Sequence, residues 1–156
     1  MHPDSGSEDT NVTRREDRRY RALVVSVGPE VPALLDAGMV ITFREGSPPE
    51  LAEMSAIQRL EDVGESAVLE LQGEVRWLLP DGALATRLRI VEVGARAEAN
   101  LRQLGHVVFV TSDDPLLPGQ VRLAGTLPRR LQPGAVLEIW ASARGDRSEH
   151  ETAPRS

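Results

Sequence analysis

The sequence predicts a mainly β fold, a compact antiparallel barrel or sandwich with one or two short helices. Three observations predict it. Short runs rich in Val, Leu and Ile recur through residues 20–141, as half-buried strands require. Strong turn signals separate them, including Gly28-Pro29, Pro48-Pro49, Asp81-Gly82, Pro118-Gly119 and Pro133-Gly134. Only two stretches carry helical spacing, and both are short.

Taken in order, Ala22–Val27 is a Val-rich strand stopped by Gly28 and Pro29. Val31–Ala37 is a short helical turn with Gly38 just past its end. Met39–Arg44 is a second strand, closed by Gly46, Ser47, Pro48 and Pro49. Val68–Gln72 and Val75–Leu79 read as further strands on either side of Gly73. Asp81-Gly82 is a hairpin signal, because both residues tolerate positive φ. Leu84, Thr86, Leu88 and Ile90 then alternate with Ala85, Arg87 and Arg89, the period-two signature of a strand with one face buried. Ala97, Leu101 and Leu104 repeat at helical spacing, and Gly105 marks the stop. His106–Thr111 is a strand, and Pro118-Gly119 and Pro133-Gly134 are type II turns leading into strands Val121–Ala124 and Ala135–Trp140.

Residues 1–19 and 142–156 are polar, with few aliphatic side chains, and are expected to be flexible tails around one domain at 20–141. The chain has 156 residues, a formal charge of −6, no Cys and 18 basic residues, every one of them Arg. Without Lys there is no Schiff-base chemistry and no phosphate-loop lysine. Without Cys there is no thiol nucleophile, disulfide or thiolate metal site. Scattered Arg, an acidic balance and few aromatics argue against nucleic acid. No apolar run approaches the roughly 20 residues that span a bilayer, so no direct membrane insertion and a cytoplasmic location are expected. No cofactor and no metal are expected, since the histidines are far apart and no metal-binding or phosphate-loop motif is present.

Titratable candidates are few. Glu61-Asp62 and Asp113-Asp114 are adjacent acids beside turns, where solvated loops are the ordinary outcome. His2 and His150 fall in the tails, which leaves His106 as the one imidazole of the core. It reads either as a proton carrier or nucleophile, or as a polar residue that opens a strand and bonds to nearby backbone.

The stretch Ile41-Thr42-Phe43-Arg44-Glu45-Gly46-Ser47-Pro48-Pro49-Glu50-Leu51 resembles the glucitol/sorbitol-specific enzyme IIA component of the phosphoenolpyruvate-dependent sugar phosphotransferase system (PTS). So do Val93-Gly94, Ala97-Glu98 and Asn100-Leu101-Arg102-Gln103-Leu104-Gly105-His106, with the Pro118-Gly119, Ala124-Gly125 and Pro133-Gly134 elements in matching order. The resemblance implies a small β domain that takes a phosphoryl group from the phosphocarrier HPr onto a histidine and passes it to the IIB component of a IIB/IIC pair. Carried along without gaps, the family's phosphoacceptor position falls on Gln58, in Ser55-Ala56-Ile57-Gln58-Arg59. The nitrogen lone pair of a carboxamide is shared with its carbonyl, so Gln58 is not expected to be phosphorylated. His106 matches a histidine of the second motif and is the remaining candidate acceptor. The implied function is a phosphorelay component that is phosphorylation-deficient at its family site; the alternative is a non-catalytic regulatory or protein-binding β domain.

Overall fold

In a computed structural model, which describes residues 17–46 and 48–142, the chain closes into an eight-stranded barrel. Its strands are β1 (Arg18–Val27), β2 (Met39–Arg44), β3 (Ser55–Val63), β4 (Glu74–Leu78), β5 (Leu84–Val93), β6 (Val107–Val110), β7 (Gln120–Ala124) and β8 (Val136–Trp140). Three short helices connect them: α1 (Val31–Asp36), α2 (Pro49–Ala52) and α3 (Ala97–Leu104). The order around the barrel is β1-β3-β2-β6-β7-β5-β4-β8, returning to β1. Among the described residues, closure leaves no sheet edge unpaired.

Successive side chains on a strand point to opposite faces, so the interior is built from alternate residues. Tyr20, Ala22 and Val24 face inward from β1, Val75 and Trp77 from β4, and Leu88 and Ile90 from β5. Val107 and Phe109 from β6, Val121 and Leu123 from β7, and Leu137 and Ile139 from β8 complete the wall. At one end, α1 plugs the barrel with Val31 and Leu35. At the other, Ala97 and Leu101 of α3 pack beside Val68 and Leu69.

Most predicted elements are present, with corrections that have physical causes. The β2 and β3 strands run parallel, as do β6 and β7. Each parallel pair needs a crossover rather than a hairpin, supplied by residues 45–54 and 111–119. The first of these crossovers contains α2, a one-turn third helix.

Val68–Gln72 is not a strand. Val68 and Leu69 are both buried, but they lie in bends and join no ladder. Their N–H groups donate to the Glu98 carboxylate rather than to a ladder, and Gln72 takes a positive φ of 73°.

β3 escaped the sequence reading because its inner face carries Gln58 and its far end is charged. Glu61 and Asp62 accordingly lie in a strand, not beside a turn, and pair with Arg21 at 2.8 Å and Arg18 at 3.6 Å. β1 begins at Arg18, ahead of the Val-rich run, because Arg18 pairs with Trp140 of β8.

The Asp81-Gly82 hairpin forms with a longer turn, closed by the Leu79 N–H donating to the Ala83 carbonyl at 2.7 Å. Pro133-Gly134 makes the expected turn, with Gly134 at φ 97° and Ala135 N–H bonded to Gln132 O. Gly119 does not adopt positive φ, so Pro118-Gly119 turns the chain without being type II. Residues 1–16 and 143–156, with His2 and His150, lie outside the described residues.

Candidate functional site

Two neighbouring strands break the apolar lining of the barrel. On β2 the inward parity runs Val40, Thr42, Arg44, and on β3 it runs Ala56, Gln58, Leu60. Gln58 stands opposite Val24 of β1 on one side and level with Arg44 of β2 on the other. Since Val24 belongs to the core, the same face carries the Gln58 carboxamide inside the barrel. Gln58 is 1% exposed, and neither Nε2 nor Oε1 has a hydrogen-bond partner among the described residues.

Arg44, at the end of β2, reaches the last turn of α3. Its Nη2 donates to the carbonyls of Leu101 and Arg102, each at 3.3 Å, where a cation complements the exposed carbonyls of a helix C-terminus. Tyr20 sits on the same interior side. Burial pushes the Tyr20 phenol above its ordinary value of 10.0, against the opposing pull of the Arg44 charge and hydrogen bond. Tyr20 and Arg44 thus interact inside the barrel, and Gln58 is level with Arg44 on the neighbouring strand.

Thr42 holds the start of β6. Its hydroxyl donates to the Gly105 carbonyl at 2.8 Å and accepts the Val107 N–H at 3.2 Å. Gly105 closes α3 in the left-handed conformation at φ 63°, as its sequence position predicts. His106 follows, half-buried on the outer side of the barrel. Its ring stacks on Phe43 with centroids 4.0 Å apart and planes 13° from parallel.

His106 Nδ1 lies 3.1 Å from the Thr42 carbonyl oxygen. That oxygen can only accept, so a bond at this distance needs the proton on Nδ1, and Nε2 is the ring nitrogen left outside it. Such an imidazole is oriented for nucleophilic or proton-transfer chemistry at Nε2. Gln58 offers no comparable nitrogen. The two predicted site residues are not brought together: Gln58 faces the interior and His106 the exterior of the same wall.

Thr42→Val is expected to lower stability by about 1–3 kcal/mol, because it strands the Gly105 carbonyl and the Val107 N–H. It should also loosen His106. Denaturant unfolding reads the first effect, and the ring signals of His106 by NMR read the second.

Asp113 and Asp114 lie exposed in the crossover between β6 and β7, where Arg122 Nη2 donates to the Asp114 carbonyl at 2.8 Å. Among the described residues no three His, Asp or Glu side chains gather around a point that could hold a metal. No helix among them is long and apolar enough to cross a membrane.

Sequence reasoning missed Thr42, Arg44 and Glu98 as site-shaping residues, although all three stand within the quoted family blocks. Nothing in their spacing reveals their roles. Glu98 lies one residue into α3, and its two carboxylate oxygens take the N–H groups of Val68 and Leu69 at 2.9 and 2.8 Å.

The pattern of the family described as PTS system glucitol/sorbitol-specific IIA component matches residues 19–138. A PTS system glucitol/sorbitol-specific EIIA component of Shigella flexneri is 33% identical over 126 residues, covering 77% of this chain and 93% of the relative. The component of that description from Escherichia coli (strain K12) gives the same identity and coverage. A crystal structure of a PTS system IIA component from Enterococcus faecalis V583 shares the fold at TM-score 0.63 and 21% identity, over 78% of this chain and 99% of that one. By its sequence match over the whole barrel, the chain belongs to the PTS glucitol/sorbitol-specific IIA component family.

Proposed function

We propose that this chain engages PTS partners as a IIA-type module without relaying phosphate through residue 58. The observation that carries the reading is the chemistry of that position. The family resemblance, carried along without gaps, implies a phosphoacceptor at residue 58, and here the residue is a glutamine, 1% exposed, on the inward face of β3. Accepting phosphate means forming a bond from a nitrogen lone pair to phosphorus while the donor's P–N bond breaks. A carboxamide nitrogen has no such pair to give. The partners implied are HPr and the IIB/IIC components, met by docking alone, which makes the module regulatory.

A second reading rests on His106. Its Nδ1 is engaged by the Thr42 carbonyl, which leaves Nε2 as the ring nitrogen for attack on phosphorus. One assay separates the two. The protein is incubated with phosphoenolpyruvate, enzyme I and HPr, then weighed by mass spectrometry under conditions that preserve phosphohistidine. No added phosphoryl mass is expected. An acid-labile adduct that disappears in His106→Ala would establish the second reading instead.

A further inference from the structure

We propose that residues 64–73 form a latched strap over the α3 end of the barrel, with Glu98 as the latch, and that its release opens a path to residue 58. The segment leaves β3 at Gly64 and rejoins the barrel at Gly73 ahead of β4. It lies at the α3 end, where Arg44 bonds the last-turn carbonyls of the helix, and Gln58 is level with Arg44 on the neighbouring strand.

The attachments of the strap are unevenly distributed. Its two ends are tied by backbone bonds: Gly64 N–H to Arg19 O, Gln72 N–H to Ile90 O, and Ile90 N–H to Gly73 O. Between them, three of the described bonds that hold residues 65–69 converge on neighbouring side chains of α3. Val68 and Leu69 donate to Glu98, and Arg102 Nη2 donates to the Ser66 carbonyl at 2.6 Å. Arg102 Nε also bonds Glu98 Oε2 at 3.0 Å, so one ion pair holds both hands of the clasp.

Beneath the clasp, Val68 and Leu69 complete the apolar cover by joining the core that contains Tyr20 and Leu101. The hinge on the β4 side carries strain, because Gln72 is held at φ 73°, a left-handed conformation that a side chain disfavours. Nearer β4, Glu70 Oε1 accepts the Ser142 N–H at 3.1 Å, so the middle of the segment, held through Glu98 and Arg102, is the part that opens locally before the barrel does. The buried carboxamide of Gln58, with a donor and an acceptor both unmatched, is the group that gains hydration when it opens.

The chain has no cysteine, so a single thiol reports access cleanly. Gln58→Cys is prepared alone and together with Glu98→Gln, which keeps the shape of the latch but turns an NH₂ toward a backbone N–H. The rate of reaction with a small aromatic disulfide reagent is then measured under native conditions, where it follows the opening equilibrium. The latch variant is expected to react roughly tenfold faster or more. Ala56→Cys, on the same strand and face but nearer the α1 end, is expected to be unaffected by Glu98→Gln.

Equal rates for Gln58→Cys in both backgrounds would overturn the proposal, as would an equal acceleration at Ala56→Cys, which signals global loosening. Hydrogen exchange provides a reading free of any change at residue 58. In Glu98→Gln alone, the amides of Val68 and Leu69 should exchange faster while those of Val24 and Ile139 stay protected. A uniform increase would also overturn it. The proposal concerns access to residue 58 and stands or falls separately from the phosphotransfer assay.

Discussion

Gln58→Leu is expected to make the protein more stable by about 1–3 kcal/mol, against the usual direction of core substitutions. Gln58 is 1% exposed, and both polar atoms of its carboxamide lack a partner among the described residues. A buried polar group without a hydrogen bond costs its full desolvation, and an apolar side chain of similar volume removes that cost. Leucine adds apolar contact with the inward neighbour Val24 on β1. Arg44, level with Gln58 on β2, keeps its bonds to the α3 carbonyls and Tyr20, so the substitution leaves no new orphan there. The midpoint of urea unfolding measures the effect, and a slope equal to that of the parent chain shows that the folded state is the one altered. A loss of stability would mean that the carboxamide is satisfied in solution and that the interior at residue 58 is wet.

Gly28→Ala is expected to destabilise by about 3 kcal/mol or more, enough to consume a large share of the stability of a domain this size. Gly28 does not occupy a positive-φ conformation, so the cause is space rather than backbone freedom. A Cβ there would lie 2.1 Å from the Ala52 carbonyl oxygen and 2.2 Å from that of Glu53. Both obstacles are backbone, at the junction of α2 and β3, and neither can rotate aside. The same junction is pinned by Gly28 N–H on Ser55 O and Glu30 N–H on Glu53 O, each at 3.0 Å. Displacing it would drag the start of β3, and with it residue 58. Thermal unfolding followed by circular dichroism tests the prediction. A melting temperature within a degree or two of the parent would show that the crossover yields easily.

These two positions illustrate how much of the molecule its linear sequence discloses. Gly28 is legible as a strand breaker, because Gly and Pro end a Val-rich run. That it is the point where two backbone segments touch is invisible, since α2 and the start of β3 are some 25 residues further along. Gln58 is where the resemblance, carried along without gaps, expects the family's acceptor, but Ser55–Val63 gives no strand signal. A strand whose inner face holds a glutamine and whose far end holds Arg59, Glu61 and Asp62 has neither alternation nor an apolar run. Its strand character comes from ladders on both sides, with β1 and with β2.

Local signals performed well where the local chain decides the outcome. Gly105 stops α3, Gly134 turns into β8, and the alternation of Leu88 and Ile90 places β5 with one face in the core. They failed at Val68 and Leu69, whose β-like composition serves a plug because the partner of their N–H groups is a carboxylate on α3.

The sequence by itself determined the chemical inventory: no lysine, no cysteine, a β-rich core, and a glutamine where the family resemblance expects an imidazole. Side-chain chemistry does not depend on the fold, so those conclusions needed no coordinates. Only the tertiary structure decided that Gln58 is buried inside the barrel, that His106 stacks on Phe43 with Nδ1 on the Thr42 carbonyl, and that a carboxylate on α3 binds the Val68 and Leu69 N–H groups. Burial, ring stacking and carboxylate binding are all relations between residues distant in the chain, and barrel closure is what brings those residues within bonding reach.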